Sequence, residues 1–239
     1  MRFGGHVAVD RVSCAFRAGV TAIVGPNGAG KTTYFNLISG QLRATSGRVS
    51  LYGVDISALS ASQRTHRGIG RAFQLTNLFP RLSVLENVRL AVQARANMGK
   101  SLLSTWRSHV ELLEKAAFFL ERVALADKRD TPAAALPHGD QRKLEVAILL
   151  ALEPEVFMFD EPTAGMSVDE VPTVLQLIED IRRKGDKTIL LVEHKMDVVR
   201  SLADRIIVLH QGELVADGAQ AEVIASPIVQ EAYLGISRG

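Results

Sequence analysis

Residues 25–33 read Gly25-Pro26-Asn27-Gly28-Ala29-Gly30-Lys31-Thr32-Thr33, an instance of G-x-x-x-x-G-K-[ST]. They follow the apolar, partly β-branched run Val20-Thr21-Ala22-Ile23-Val24 and precede Tyr34-Phe35-Asn36-Leu37-Ile38, which suits the opening of a buried helix. Strand, glycine loop and helix in that order are the context a phosphate-binding loop needs. Glycines let the backbone curl so that successive N–H groups point inward at phosphate oxygens. The helix N-terminus adds its partial positive charge. Lys31 is placed to reach the β- and γ-phosphates, and the Thr32 hydroxyl to hold Mg²⁺. At average residue usage such a pattern arises by chance in about one chain of this length in a hundred, and correct flanks lower that further. The chain is therefore expected to bind a nucleoside triphosphate.

Composition sets the outer bounds. At 239 residues the chain can bury a sizeable core, as one large domain or a domain with a subdomain. Hydrophobic residues make up 47% and charged residues 23%, an ordinary globular balance. The net charge of +2 is too even to argue for nucleic acid. Cys14 is the single cysteine, which excludes an internal disulfide and a zinc cluster, and the histidines lack metal-ligand spacing. No apolar run is long enough to span a membrane and no signal peptide leads the chain, so membrane attachment is expected through partners.

Along the chain, Val7-Ala8-Val9 and Val12-Ser13-Cys14-Ala15-Phe16 read as strand, the second half-buried by its period-2 alternation. Arg48–Gly53 reads as a short strand ending in a turn, and Gly68–Gln74 as a strand running into a loop closed by Pro80. From Ser83 the pattern turns helical, with Ser83 and Glu86 forming a capping box. A second helix over 105–124 places Val110, Leu113, Ala117 and Leu120 on one face, and a third covers Gly139–Leu152. Three helices without strands, inside a chain that otherwise alternates β and α, suggest an inserted helical subdomain at 80–152. The remainder, 1–79 and 153–239, is expected to form an α/β core with a mixed sheet and an antiparallel β part. Val156-Phe157-Met158-Phe159 suits a strand buried on both faces. Beyond it come a helix over Val171–Arg183, a strand over Thr188–Val192, a helix over Met196–Ala203 and a strand over Arg205–Leu209.

Phe159-Asp160-Glu161 closes a buried strand and supplies the second half of a nucleotide site. A carboxylate there, Asp160, can hold Mg²⁺ through water. Glu161 beside it can polarise an attacking water, a role worth about 10²–10⁴ in rate. His194 follows the next buried strand, and strand order places it at the same crevice, in reach of a γ-phosphate. Gln74 ends a strand before the helical segment, where a neutral oxygen can complete the Mg²⁺ shell.

In these residues the chain resembles the ATP-binding-cassette family of P-loop NTPases along essentially its whole length. Gly25–Thr33 corresponds to its Walker A loop, Gln74 to the Q-loop glutamine, and Leu136-Pro137-His138-Gly139-Asp140-Gln141 to its L-S-G-G-Q signature. Val156–Asp160 with Glu161 resembles Walker B, Ala164–Ser167 the D-loop, His194 the switch histidine, and Phe3 the aromatic residue that stacks on adenine. Within the family the chain looks like the ATPases of branched-chain (hydrophobic) amino-acid importers. That resemblance rests on Phe3-Gly4-Gly5, Gly70-Arg71-Ala72-Phe73-Gln74 to Leu78-Phe79-Pro80, Leu82–Val88, Gly139-Asp140-Gln141-Arg142, Glu161–Ser167 and Glu231-Ala232-Tyr233-Leu234-Gly235. Close relatives import urea or short amides, which stays the alternative, as does a low-turnover ATP-dependent regulator. DNA-acting machines built on the cassette carry long insertions that this chain lacks, and no nucleic-acid partner is expected.

The resemblance implies ATP and Mg²⁺ (at Thr32, Gln74 and Asp160) as ligands, with Glu161 and His194 catalytic. It implies two ATPases, identical or different, pairing head to tail, with Pro137, His138, Gly139, Asp140 and Gln141 serving the partner's nucleotide. It also implies docking on transmembrane permease subunits through a groove at Leu75–Arg81, an indirect link to a solute-binding protein, and a peripheral place on the cytoplasmic face of the membrane. Two departures stand out. Pro137 replaces the family's serine, whose hydroxyl bonds the partner's γ-phosphate, and proline has no backbone N–H either. An asymmetric pair, with a serine-bearing signature on the other ATPase, is the expectation drawn from this. The strand that relatives carry before the adenine-stacking aromatic is also missing ahead of Phe3, so either the start is truncated or the sheet edge is covered otherwise.

Overall fold

The apolar run ahead of the glycine loop lies well inside a six-stranded sheet, which fixes where the loop emerges. The structure is a computed structural model, and it describes residues 1–72, 78–96, 110–227 and 229. Gln74 and Glu231–Gly235 lie outside the described residues, as do 75–77 of the expected docking groove.

In chain order the strands are β1 (Arg2–Phe3), β2 (His6–Val7), β3 (Gly19–Val24), β4 (Ser50–Leu51), β5 (Val54–Asp55), β6 (Ile69–Ala72), β7 (Val156–Asp160), β8 (Thr188–Val192), β9 (Arg205–His210) and β10 (Glu213–Ala219). The helices are α1 (Lys31–Ser39), α2 (Ala61–His66), α3 (Val84–Arg95), α4 (Val110–Arg122), α5 (His138–Ala151), α6 (Val171–Arg183), α7 (Met196–Leu202) and α8 (Gln220–Ala225). The large sheet has the order β10-β9-β3-β8-β7-β6; β10 runs antiparallel to β9 and every other pair is parallel. β1–β2 and β4–β5 form two small antiparallel ladders of their own.

Period-2 alternation in a doubly covered strand sends neighbours into opposite cores. In β7, Phe157 and Phe159 join the cluster built with α3–α6, whereas Val156 and Met158 join the one around Phe35 of α1. β8 divides in the same way, Ile189 and Leu191 against Leu190 and Val192. Each such side chain contributes about 1.5–3 kcal/mol on burial. The register sets the ends level: Asp160 pairs with Val192, and Ile23 with Val192 on the other side of β8. Residues just past β3, β7 and β8 therefore meet at one rim of the sheet.

Ser83 caps α3 as expected, its hydroxyl accepting from Glu86 N at 3.2 Å while the Glu86 carboxylate accepts from Ser83 N at 3.0 Å. α3 packs against α4 and α5. Two expectations need correction. In α4 the buried face is Leu112, Ala116, Phe119 and Leu120, and Val110 is 59% exposed. The helix carries two adjacent apolar stripes with the same spacing, and the core took the one containing Phe119. Residues 12–16 form no strand. Val12, Cys14 and Phe16 do pack half-buried against the α1 cluster, with Ser13 and Ala15 exposed. Their backbone has no ladder partner among the described residues, and alternation alone cannot supply one. An open cleft of about 1100 Å³ runs between this segment and β4.

Candidate functional site

β3 delivers the chain into the glycine loop, and two glycines there are demanded by space. Gly25, at φ 151°, lies so close to Leu209 that a Cβ would overlap its carbonyl oxygen, and Gly30, at φ 96°, abuts the carbonyl oxygen of Ala8 in the same way. Gly30 is the N-cap of α1, has no side chain to cap with, and no acidic residue follows in the first turn. The first N–H groups of α1 are thus left facing outward with the positive end of the helix dipole behind them. Lys31 folds back across the loop, its ammonium donating to the carbonyl oxygens of Gly25 at 2.7 Å and Pro26 at 3.0 Å. Burial pushes its pKa down, against the nearby carboxylates of Glu161 and Asp160, which hold it up. Thr32 stands exposed at the mouth.

The same rim receives the end of β7. Asp160 is buried, its Oδ2 accepting from Arg71 Nη2 at 2.6 Å, while Oδ1 is buried without a partner. Glu161, at φ 50°, donates its N–H to Val192 O at 2.9 Å, which turns its side chain back over β8. There the Glu161 carboxylate lies 2.7 Å from His194 Nε2. A non-glycine residue held in the left-handed region stores backbone strain of about 1–3 kcal/mol, a frequent feature of functional positions. The structure therefore brings Gly25–Thr33, Asp160, Glu161 and His194 together.

Sequence reasoning missed three residues that shape this rim: Glu193, its partner Thr163, and Arg71. Glu193 is buried and accepts from Thr163 Oγ1 at 2.6 Å, from His194 N at 2.9 Å and from Lys195 N at 3.3 Å. It pins the turn after β8 to the turn after β7. The available signal was a carboxylate directly following a fully apolar strand. The third is Arg71, on β6.

The signature-position residues sit elsewhere. Pro137 is the N-cap of α5 and makes no side-chain cap bond. Gln141 Nε2 donates to Leu136 O at 3.0 Å, and buried Asp140 accepts from Lys128 and from Lys143, the latter at 3.0 Å. A Cβ on Gly139 would overlap the carboxylate of Glu170, and the His138 ring lies beside Gly165. None of Pro137–Gln141 bonds to the phosphate loop, Asp160, Glu161 or His194. Phe3 is 47% exposed on β1, in the hairpin that leads to Ala8 beside Gly30. Of the expected docking groove, Leu78 packs half-buried on the core while Phe79 is 56% exposed, its backbone clasped by Asn87 through bonds of 2.8 and 3.1 Å.

Residues 9–164 match the family model described as ABC transporter. The chain belongs to the ABC transporter family. It is 39% identical to the high-affinity branched-chain amino acid transport ATP-binding protein LivG of Salmonella typhimurium, with 98% of this chain and 94% of that one covered. A nucleotide-free ATP-binding cassette from an ABC transporter superposes with a TM-score of 0.83 at 31% identity, covering 100% of this chain and 96% of that one. A dimeric cassette in a post-hydrolysis state, bound to ADP and phosphate, gives 0.77 at 27% identity, covering 89% and 90%. The fold is that of an ABC ATPase, a nucleotide-binding family whose activity is ATP hydrolysis. Among the described residues no helix is long and apolar enough to cross a membrane.

Proposed function

We propose that this chain is the ATP-binding and ATP-hydrolysing subunit of an importer for branched-chain or other hydrophobic amino acids. The observation that carries the reading is the meeting of Lys31, Asp160 and the Glu161–His194 pair at one rim of the sheet. The phosphates lie against the N–H groups of the loop and of the first turn of α1. Lys31 leaves the Gly25 and Pro26 carbonyls to reach the β- and γ-phosphates, and Phe3 stacks on the adenine. Thr32, Asp160 and Gln74 are the candidates to hold Mg²⁺. The partnerless Oδ1 of Asp160 fits this role. Such a cation is usually bound by one or two protein oxygens together with phosphates and waters. When bound, Mg²⁺ neutralises the β- and γ-oxygens. Glu161 accepts the proton of the attacking water. His194, with its proton on Nε2, orients that carboxylate and then the γ-phosphate.

A second cassette completes the site in trans, its signature facing this chain's nucleotide while Pro137–Gln141 face the partner's. Phe79 and the loop around it dock on the permease, which places the subunit at the cytoplasmic face of the membrane. Glu161→Gln tests the reading. Turnover should fall about 10²–10⁴-fold, and ATP with Mg²⁺ should then trap a dimer visible by light scattering. Undiminished turnover, or no dimer with either the chain itself or its co-purifying ATPase, refutes it. Pro137 favours a second reading, a regulator with slow turnover, for which Glu161→Gln changes neither affinity nor assembly.

A further inference from the structure

Arg71, near the end of the edge strand β6, carries a largely buried cationic side chain, a placement that costs several kcal/mol unless the charge is matched. Its side chain is 8% exposed and that of Asp160 only 1%. The guanidinium divides its two arms. Nη2 donates to Asp160 Oδ2 at 2.6 Å, and Nη1 donates to Asn36 Oδ1 at 2.6 Å and Ser39 Oγ at 3.0 Å, both on α1. The plane of the fork is held from one side by the Phe35 ring, 5.1 Å from its centroid. Arg71 thus joins the helix that opens at the phosphate loop to the aspartate at the end of β7. The arm to Asp160 takes Oδ2 alone and leaves Oδ1 buried without a hydrogen-bond partner.

We propose that Arg71 is a positioning residue for Asp160, fixing which carboxylate oxygen is offered to the nucleotide-bound Mg²⁺ and tying it to α1. The proposal rests on the reading of Asp160 as a holder of that cation. A bare ion pair would satisfy the buried charge equally well, so the second arm is the distinguishing feature. Lysine could neutralise Asp160 but could not span to Asn36 and Ser39 at the same time.

The test follows the fluorescence of a labelled ADP bound to the full chain while Mg²⁺ is titrated, with melting temperature and circular dichroism as folding controls. Partners that orient a metal ligand typically contribute 10–100-fold to metal affinity, so Arg71→Met should raise the Mg²⁺ midpoint at least about tenfold. Affinity for the nucleotide without Mg²⁺ should stay within about twofold, because the loop N–H groups are untouched. Arg71→Lys should fall between Arg71→Met and the parent, and Asn36→Ala should shift the midpoint in the same direction but less. Asp160→Asn is the reference. If it leaves the midpoint in place, the reading of Asp160 is wrong. If it shifts the midpoint while Arg71→Met does not, only the positioning role is overturned. Should Arg71→Met not fold, Asn36→Ala decides: no shift there overturns the proposal.

Discussion

The phosphate loop and the signature position are both glycine-bearing helix starts, at α1 and α5, yet they are built in opposite ways. At α1 the cap is bare, no acid follows, and Lys31 feels the carboxylates of Glu161 and Asp160 at the end of β7. At α5 the first turn holds a buried acid, Asp140, neutralised by Lys128 and Lys143, and the Glu170 carboxylate closes over Gly139. The first has the form of an anion site within one chain, as the proposed reading requires. The second carries its own carboxylates, paired with Lys128 and Lys143, and bonds to nothing in the first. On the proposed reading, the open start of α1 takes this chain's own nucleotide, and the carboxylate-lined start of α5 takes a phosphate only when a partner brings one against it.

The comparison breaks hardest at Gly25. A Cβ there meets backbone, the Leu209 carbonyl, at a φ of 151°, and neither can give way cheaply. Gly25→Ala should cost about 2–4 kcal/mol and abolish nucleotide binding, read by denaturant unfolding and by nucleotide fluorescence. At Gly139 the obstacle is the end of a flexible Glu170 side chain, so Gly139→Ala should leave stability within about 1 kcal/mol of the parent. Equal losses at the two glycines would erase the distinction.

Glu193 is the next lever. Glu193→Gln keeps the volume but replaces one acceptor oxygen by a donor facing Thr163 Oγ1 or the N–H groups of His194 and Lys195. Hydrogen bonds to a charged group are worth about 1.5–3 kcal/mol, and that loss should appear in unfolding together with a lower kcat, since both Glu161 and His194 hang on the pinned turns. A kcat unchanged in a destabilised protein would confine Glu193 to stability.

What the sequence disclosed and what it hid separate along physical lines. The glycine loop, the doubly buried β7, the Ser83–Glu86 capping box and the placing of His194 at the crevice beside Glu161 were legible because each depends on local pattern or on strand order, whereas the bond between those two side chains was not foreseen. The face of α4 was not, because two stripes share one period and only packing selects between them. Residues 12–16 alternate as a strand does but lack a ladder among the described residues, which no single segment reveals. Arg71 and Glu193 were invisible for the same reason: their partners lie on other elements, Asn36 and Asp160 for one, Thr163 for the other.

Pro137→Ser sharpens the contrast from the other side. The serine would add a hydroxyl, and in the closed pair a hydrogen bond to a phosphate worth about 1.5–3 kcal/mol. ATPase of the purified homodimer should rise at least about tenfold if closure limits it. No change in the homodimer, with Glu161→Gln still trapping it, would mean that the Gly139 end of α5 already suffices.

The smallest effect separates the two helix starts by pH. The Asp140 carboxyl is held below its usual range although burial opposes this, because Lys128 and Lys143 both donate to it. A depressed folded pKa contributes stability that is fully present above the unfolded value, near 3.9, and is lost as pH falls through the folded one. Asp140→Asn should therefore destabilise by about 1–2 kcal/mol at pH 7, less than a fully buried pair because Lys128 is partly exposed. The gap between parent and variant should begin to close as pH falls below about 3.9, the unfolded value, and keep closing toward the lower pKa of the folded carboxyl. Urea unfolding of both proteins from pH 3 to 7 checks it. A gap undiminished at the acid end would mean that Asp140 supports α5 by packing, and the acid-filled helix start would then differ from the open one in shape more than in charge.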